Sequence, residues 1–455
     1  MATIRQRNNS YYVIYTYFDE TGTRKQKWET FKSISEARNR QKEVEYKKQI
    51  GSLIIPKCKT LDELLNEYIE LYGKMKWSMS TYNANKALIQ HYISPKIGHM
   101  KVSDINTRIL ERYYQTLLKT EAVPNNAKNP KRRMLTASTV REIHKILRSC
   151  FNQAVKWDLM NNNPAAKAMA PKCECAKRDI WTAETLFQAL KRCDDPRLSL
   201  ALNIAFSCSL RMGELLGLTW DCVDISKESI ASGTASVYVN KELQRVSRKT
   251  LDELEGKDVL FQFPASSAAT STVLVLKSPK TTSSVRKVFL PRAVANMLEE
   301  WKLMQDESIE MLGSEYQNYD LVFAGSLGLP TEGSTINTAL KKLIRENNLP
   351  PVVFHSFRHS SITYKLKLNG GDIKAVQGDS GHSQVKMVTD VYSHILDDDR
   401  KYNAQLFQEA FYEKEDTPEQ EKVSELPNGI TADILVKMLE KPEVAALLSA
   451  LAKKM

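Results

Sequence analysis

One stretch constrains this chain more than any other: FHSFRHSSITYKLKLNGGDIKAVQGDSGHSQVKMVTDVYSHI, residues 354–395. It carries His355, Arg358, His382 and Tyr392 among apolar residues of helical character. Cations and imidazoles are costly to bury unless each has a partner. One use accommodates all four: a tyrosine hydroxyl attacking a phosphodiester, with arginine and histidine gripping the phosphate. The rest of the chain must then supply further cations and a way to hold nucleic acid.

Length and charge fit that demand. A chain of 455 residues is too long for one core and implies about two to four domains. A formal net charge of +11 favours a polyanionic partner, nucleic acid or a membrane surface, over a small acidic metabolite. No apolar run approaches the ~18–20 residues of a membrane-spanning helix. The opening MATIRQRNNSYY lacks the apolar core of a signal peptide. Seven scattered cysteines indicate reduced thiols and a cytoplasmic setting. Cys173 and Cys175 form a lone CxC without the further ligands a tetrahedral metal site needs, so no metal is expected there.

Along the chain, residues 1–52 form a first unit. Tyr11–Phe18 is aromatic and β-branched, Asp19–Gly22 is a turn, and Arg24–Phe31 pairs back as a second strand; Ile4–Gln6 adds a third. A helix follows over Ser35–Gln49, with Ser35 as its cap. Residues 1–50 hold eleven Lys/Arg against six Asp/Glu. Strands bearing Arg5, Arg7, Arg24, Lys25 and Lys27 would lay the free face of this sheet in a DNA groove. Residues 60–171 read as a helical domain, with helices over Ser78–Tyr92, Val102–Lys119 and Thr136–Trp157 and a break at Ser94–Gly98. Its 101–150 window holds eleven Lys/Arg against four Asp/Glu, including Lys131, Arg132 and Arg133 in a basic loop. Asn161–Arg178 reads as a linker. A second large domain spans 179–412. Residues 241–271 are expected as an irregular insertion, and Val273–Leu276 with Val285–Leu290 as a hairpin whose tip carries Lys277 and Lys280. An acidic linker and an apolar helical tail occupy 413–455.

Cleaving a phosphodiester without metal requires a definite cast. Guanidiniums grip the non-bridging oxygens bidentately and stay charged. A Lys or His protonates the departing 5′ oxygen. A tyrosine nucleophile needs cationic surroundings to become a competent phenoxide. Arg211, Lys280, His355, Arg358, His382 and Tyr392 supply that cast, and no cofactor is called for.

These residues fall in four boxes: Ser209-Leu-Arg211-Met-Gly-Glu214-Leu-Leu-Gly-Leu, Pro279-Lys280-Thr281…Ser284-Val-Arg286, His355-Ser-Phe-Arg358-His359, and Gly381-His382 followed by Tyr392-Ser393-His394. In order and spacing the set resembles the tyrosine site-specific recombinases, or phage-type integrases. The resemblance is firm over 179–412. Residues 60–171 resemble the family's helical core-site-binding domain, and 1–52 resemble the arm-site-binding domain of some integrases. The chain departs from the family pattern at Ser356, often Asp there, and at Asp379-Ser380, usually apolar.

The resemblance implies a multidomain fold: a small three-stranded sheet with one helix, an all-α core-binding domain, and a mainly α catalytic domain with a small antiparallel sheet. It implies that Arg211 and Arg358 clamp the scissile phosphate and that Lys280, preferred over Lys277 for its Pro-Lys-Thr context, is the general acid. His355 would support proton transfer at the tyrosine, His382 would bind a non-bridging oxygen, and Tyr392 would form a 3′-phosphotyrosyl bond. Glu214 would orient the site; His359 and His394 are read as structural. The implied partners are double-stranded DNA at core and arm-type sites, a homo-tetramer that exchanges C-terminal segments (residues 398–412, with 431–451 as a further contact), and an excisionase or DNA-bending protein. Two other readings remain open: a type IB-like topoisomerase, and a non-catalytic architectural DNA-binding protein.

Overall fold

In the computed structural model, the described residues are 2–18, 23–49, 60–123, 134–173, 180–265, 267, 269–381, 384–385 and 408. All but Gln408 belong to one unit, Met1–Thr389. Expectations for Lys131, Arg132, Arg133, His382, Tyr392, the 398–412 exchange segment and the 413–455 tail fall outside the described residues.

The first three strands are β1 (Thr3–Arg7), β2 (Ser10–Phe18) and β3 (Arg24–Phe31), an antiparallel sheet in that order. Asn8 and Asn9 both take positive φ, 45° and 60°, and turn β1 into β2. Such two-residue turns match the twist of paired strands, and Asn tolerates the left-handed region. Helix α1 (Ile34–Gln49) covers one face, burying Val13, Tyr15, Ala37 and Val44. The helix starts one turn-position earlier than its expected cap: Ser33 Oγ accepts from the Ser35 N–H.

A helical bundle follows. Helix α2 (Leu61–Glu67) opens with a capping box between Thr60 and Glu63, then widens through π-helical Tyr68–Gly73 into α3 (Lys74–Lys76). Helix α4 (Met79–Leu88) runs on through a π-helical segment, Ile89–Gly98, rather than breaking at Ser94–Gly98. Pro95 lies inside that segment. Proline clashes with the carbonyl four residues back in an α-helix, and a wider turn relieves this. The helical run ends at Gly98, a 3-10 turn spans Val102–Asp104, and Asn106 then caps α5 (Thr107–Leu118), so Val102–Lys119 is not one helix. Thr136 caps α6 (Ala137–Lys156), whose apolar stripe of Val140, Ile143, Leu147, Phe151 and Ala154 is buried. Part of the expected linker belongs to the bundle, since Ala165 and Ala168 are buried in its core and Thr107 donates to the Pro164 carbonyl.

The next region contains α7 (Ala183–Lys191), α8 (Pro196–Cys208), α9 (Met212–Leu216), β4 (Val223–Asp224), α10 (Lys227–Ser232) and β5 (Ser236–Val239). Then come β6 (Glu242–Ser247), α11 (Arg248–Glu253), β7 (Val259–Gln262), β8 (Thr272–Lys277) and β9 (Arg286–Phe289). Four helices complete it: α12 (Arg292–Leu312), α13 (Gly333–Glu346), α14 (Phe354–Leu368) and α15 (Ile373–Ser380). Helix α8 is apolar nearly all round and packs against α12, α13 and α14, which makes it the centre of the second core.

The strands make two antiparallel sheets, β4-β5-β9 and β6-β8-β7. The expected hairpin of 273–276 with 285–290 does not form, because β8 pairs with β6 and β7 while β9 pairs with β5. Nor is 241–271 irregular. Its sheet and α11 place Val246, Leu251, Leu254, Val273 and Val275 in the core of the helical bundle. Lys86 pairs with Glu253 at 2.7 Å, and the Lys257 ammonium donates to the Lys74 carbonyl at 3.1 Å. A hairpin pairing would leave those apolar side chains in water, at about 1.5–3 kcal/mol for each fully buried one.

Candidate active site

Three local devices bring the boxes together. The first is Ser209, which ends α8 in the left-handed conformation at φ 55° and is fully buried. That turn aims its carbonyl at Arg358, which donates from Nη1 at 2.5 Å. The second is Gly381, which ends α15 at φ 63°. A Cβ there would sit 3.0 Å from both Arg286 Nη1 and the Ser283 carbonyl, so glycine is required twice over. The third is Gly217, whose Cβ would lie 2.7 Å from the Leu243 amide, so α9 sits flush on β6.

The arginines are held in different ways. Arg358 is 1% exposed and spans two segments, donating to the carbonyls of Ser209 and Ser380, each at 2.5 Å. Burial and the positive charge of Arg211 push its pKa down to about 9, which leaves it protonated at neutral pH. Arg211 is about one-third exposed and pairs with Glu214 Oε1 at 2.5 Å, while its backbone N–H donates to Oε2. Glu214 is 1% exposed. Burial opposes its charge, but Arg286 and Arg211 outweigh that and hold its carboxyl below the usual range.

One cleft is lined by Arg211, Glu214, Lys277, Lys280, Thr281, Ser284 and Gly381, together with Ser78 and Ser80 from the bundle. Lys280 is exposed on the loop after β8. Lys277 is 3% exposed and paired with Glu242 across the β6–β8 register at 3.1 Å. The two candidate lysines therefore differ: one is free to swing, the other is locked. His355 is exposed at the start of α14, its ring edge-on to His359 with centroids 4.8 Å apart. The departures from the family pattern fall where backbone atoms do the work. Ser356 is buried in α14, the Asp379 and Ser380 carbonyls accept from Arg286 and Arg358, and the Asp379 side chain pairs with Lys365.

The sequence assigns Arg286 no role, although it lies six residues after Lys280 in the same motif. It shares strand parity with Val288, which is buried, so it had to point inward and needed partners. They are Glu214, Ser284 and Asp379.

On the N-terminal sheet, the register separates the five basic candidates. Arg5 faces Tyr12 and Arg24 faces Phe18, placing Arg5, Arg7 and Arg24 on the face away from α1, with Trp28, which is 53% exposed. Lys25 and Lys27 lie opposite Tyr17 and Tyr15 on the helix-covered face, and Lys27 is 3.9 Å from Glu29.

Comparison with known proteins agrees with this architecture. The phage integrase family model matches residues 265–399, and the phage integrase N-terminal SAM-like domain matches 60–118. A tyrosine recombinase XerC-like protein of Caldanaerobacter subterraneus subsp. tengcongensis is 25% identical over 350 residues, 74% of this chain and 80% of that protein. The ICEBs1 integrase of Bacillus subtilis is 23% identical over 323 residues, 70% of this chain and 75% of that protein. Among solved structures, the Tn1549 transposon integrase in complex with a circular intermediate DNA superposes with a TM-score of 0.58 at 16% identity, covering 77% of this chain and 99% of that one. The chain belongs to the tyrosine site-specific recombinase, or phage-type integrase, family. It is an enzyme of DNA strand cleavage and rejoining. No helix of the described residues is long and apolar enough to cross a membrane.

Proposed function

We propose that this chain is the integrase of a phage or other mobile element, acting at specific sites through a 3′-phosphotyrosyl intermediate. The observation that carries this is the meeting of Arg211, Glu214 and Lys280 in one cleft, with the buried Arg358 close enough to Arg211 and Glu214 to feel their charges. In the first step the Tyr392 oxygen attacks the scissile phosphorus, and the phosphorus–5′-oxygen bond breaks. Arg211 and Arg358 carry the charge that grows on the non-bridging oxygens. Lys280 delivers a proton to the departing 5′ oxygen, and its exposed loop suits that reach. The phosphotyrosyl ester conserves the bond energy, so the 5′-hydroxyl of a partner strand reverses the step without ATP. His382 would bind a non-bridging oxygen and His355 would serve the tyrosine proton. The bundle (60–171) and the catalytic region (179–412) would clamp a core site, with four protomers holding two duplexes. Arg5, Arg7 and Arg24 on one open sheet face support a second contact, to arm-type sites.

Trapping tests the reading. DNA recovered covalently from the purified protein gives a sequence from which a nicked duplex is made. Wild type should form a 3′ adduct on it, and Tyr392→Phe should form none while binding equally well. Absence of any adduct with wild type would leave only the architectural DNA-binding reading. Rapid relaxation of arbitrary supercoiled plasmid by the monomer would favour the topoisomerase reading.

A further inference from the structure

Glu214 poses an electrostatic problem. A buried carboxylate paired only with Arg211 would cancel the charge that Arg211 must present to a phosphate. Arg286 changes that balance. Its side chain is 6% exposed and donates from Nη2 to Glu214 Oε2 at 3.0 Å. One carboxylate between two guanidiniums leaves a net positive charge. Arg211 carries it to the cleft, since its side chain is 35% exposed. The remaining donors of Arg286 tie down the flanking boxes: Nε to the Asp379 carbonyl at 2.6 Å and Nη1 to the Ser284 carbonyl at 2.9 Å. Ser284 ends the loop that carries Lys280, and Asp379 lies two residues before Gly381.

We propose that Arg286 is a positioning residue that shares Glu214 and so leaves the Arg211–Glu214 pair net positive toward the scissile phosphate. This rests on the reading that Arg211 clamps that phosphate. Arg286 acts only through its neighbours, since it does not line the cleft.

The charge argument gives a test whose sign a merely structural role does not reproduce. Single-turnover adduct formation is measured on the trapped-site nicked duplex with saturating full-length protein. DNA affinity and a thermal melt are measured alongside. Arg286→Gln should slow cleavage about 10- to 100-fold while the Kd changes less than about 3-fold. Adding Glu214→Gln to it removes the uncompensated carboxylate, so the double variant should cleave faster than Arg286→Gln alone. Arg286→Lys keeps the charge and should recover part of the rate; it also serves if the glutamine variant melts too low to assay. A double variant as slow as, or slower than, Arg286→Gln at equal folded fraction overturns the proposal. So does an Arg286→Gln rate equal to wild type and unaffected by Glu214→Gln, or an Arg286→Lys rate no higher than that of Arg286→Gln. Loss of the adduct in wild type itself would instead defeat the recombinase reading.

Discussion

The two cationic regions of this molecule are built on opposite plans. On the N-terminal sheet, Arg5, Arg7 and Arg24 stand in solvent on one face and, among the described residues, make no ion pair. In the catalytic region, Arg358 and Arg286 are buried and committed to carbonyls and a carboxylate. An exposed arginine gains its binding energy mainly by releasing counterions, needs no fixed geometry and loses affinity as salt rises. A buried arginine costs several kcal/mol to desolvate, which only good geometry offsets, and in return it is held ready for charge that appears in the transition state. The first plan suits holding DNA, and the second suits reacting with it.

The sharpest way to break this contrast is at Arg358. Arg358→Ala should cut cleavage by at least about 10²–10³-fold. It should also destabilise the fold, since it leaves the buried Ser209 and Ser380 carbonyls without their donor, at about 1–3 kcal/mol each. Arg358→Lys should rescue little, because a single ammonium lacks the planar fork that reaches both carbonyls. Single-turnover cleavage and urea melts measure the two losses, and a fully active, fully stable alanine variant would refute the buried-clamp account. Lys280 should behave differently, because it is exposed and carries no fold. Lys280→Ala should lose about 10²–10⁴-fold in cleavage with an unchanged melt. A duplex whose scissile 5′ oxygen is replaced by sulfur should recover most of that loss, because a thiolate leaves without a proton. If sulfur gives no recovery, Lys280 is not the general acid, and Lys277 would be tested next.

Why the catalytic boxes were legible and much of their support was not follows from how each is encoded. Arg211, Lys280, His355 and Arg358 stand in short motifs of residue types suited to phosphate chemistry, and it is the resemblance of the whole set of boxes to the family, in order and spacing, that assigns them roles. The capped helices were legible too, because Thr136 and Thr182 mark starts and the apolar stripes follow at 3–4 residue intervals. The β6-β8-β7 sheet was hidden for the opposite reason. Its strands alternate weakly, and what orders them is burial against the bundle, a contact between segments about 170 residues apart in sequence, as in the Lys86–Glu253 pair. Polar content made 241–271 read as irregular, yet Val246, Leu251 and Leu254 are core residues. Pro95 misled in the same way, since a π-helical turn absorbs it. Arg286 was legible in principle from strand parity, but two of its partners, Glu214 and Asp379, lie 72 and 93 residues away and only the folded chain joins them.

The open face gives the finest test, because the register divides residues that composition treats alike. Arg5, Arg7 and Arg24 share a face with Trp28, whereas Lys25 and Lys27 project toward α1. If the open face lies on a duplex, replacing the three arginines with alanine should weaken binding to arm-type DNA and lower the slope of log K against log salt by about 2.7, at about 0.9 per phosphate contact. Replacing Lys25 and Lys27 should change that slope by less than about 1, although the pair carries two-thirds of the charge and two phosphate contacts would be worth about 1.8. Neither set should alter the melt by more than about 0.5 kcal/mol, because none of the five side chains is buried. Equal slopes per charge removed in the two sets would mean that diffuse positive charge, not a face, holds the DNA. A larger loss from the lysines would put the duplex on the helix side of the sheet.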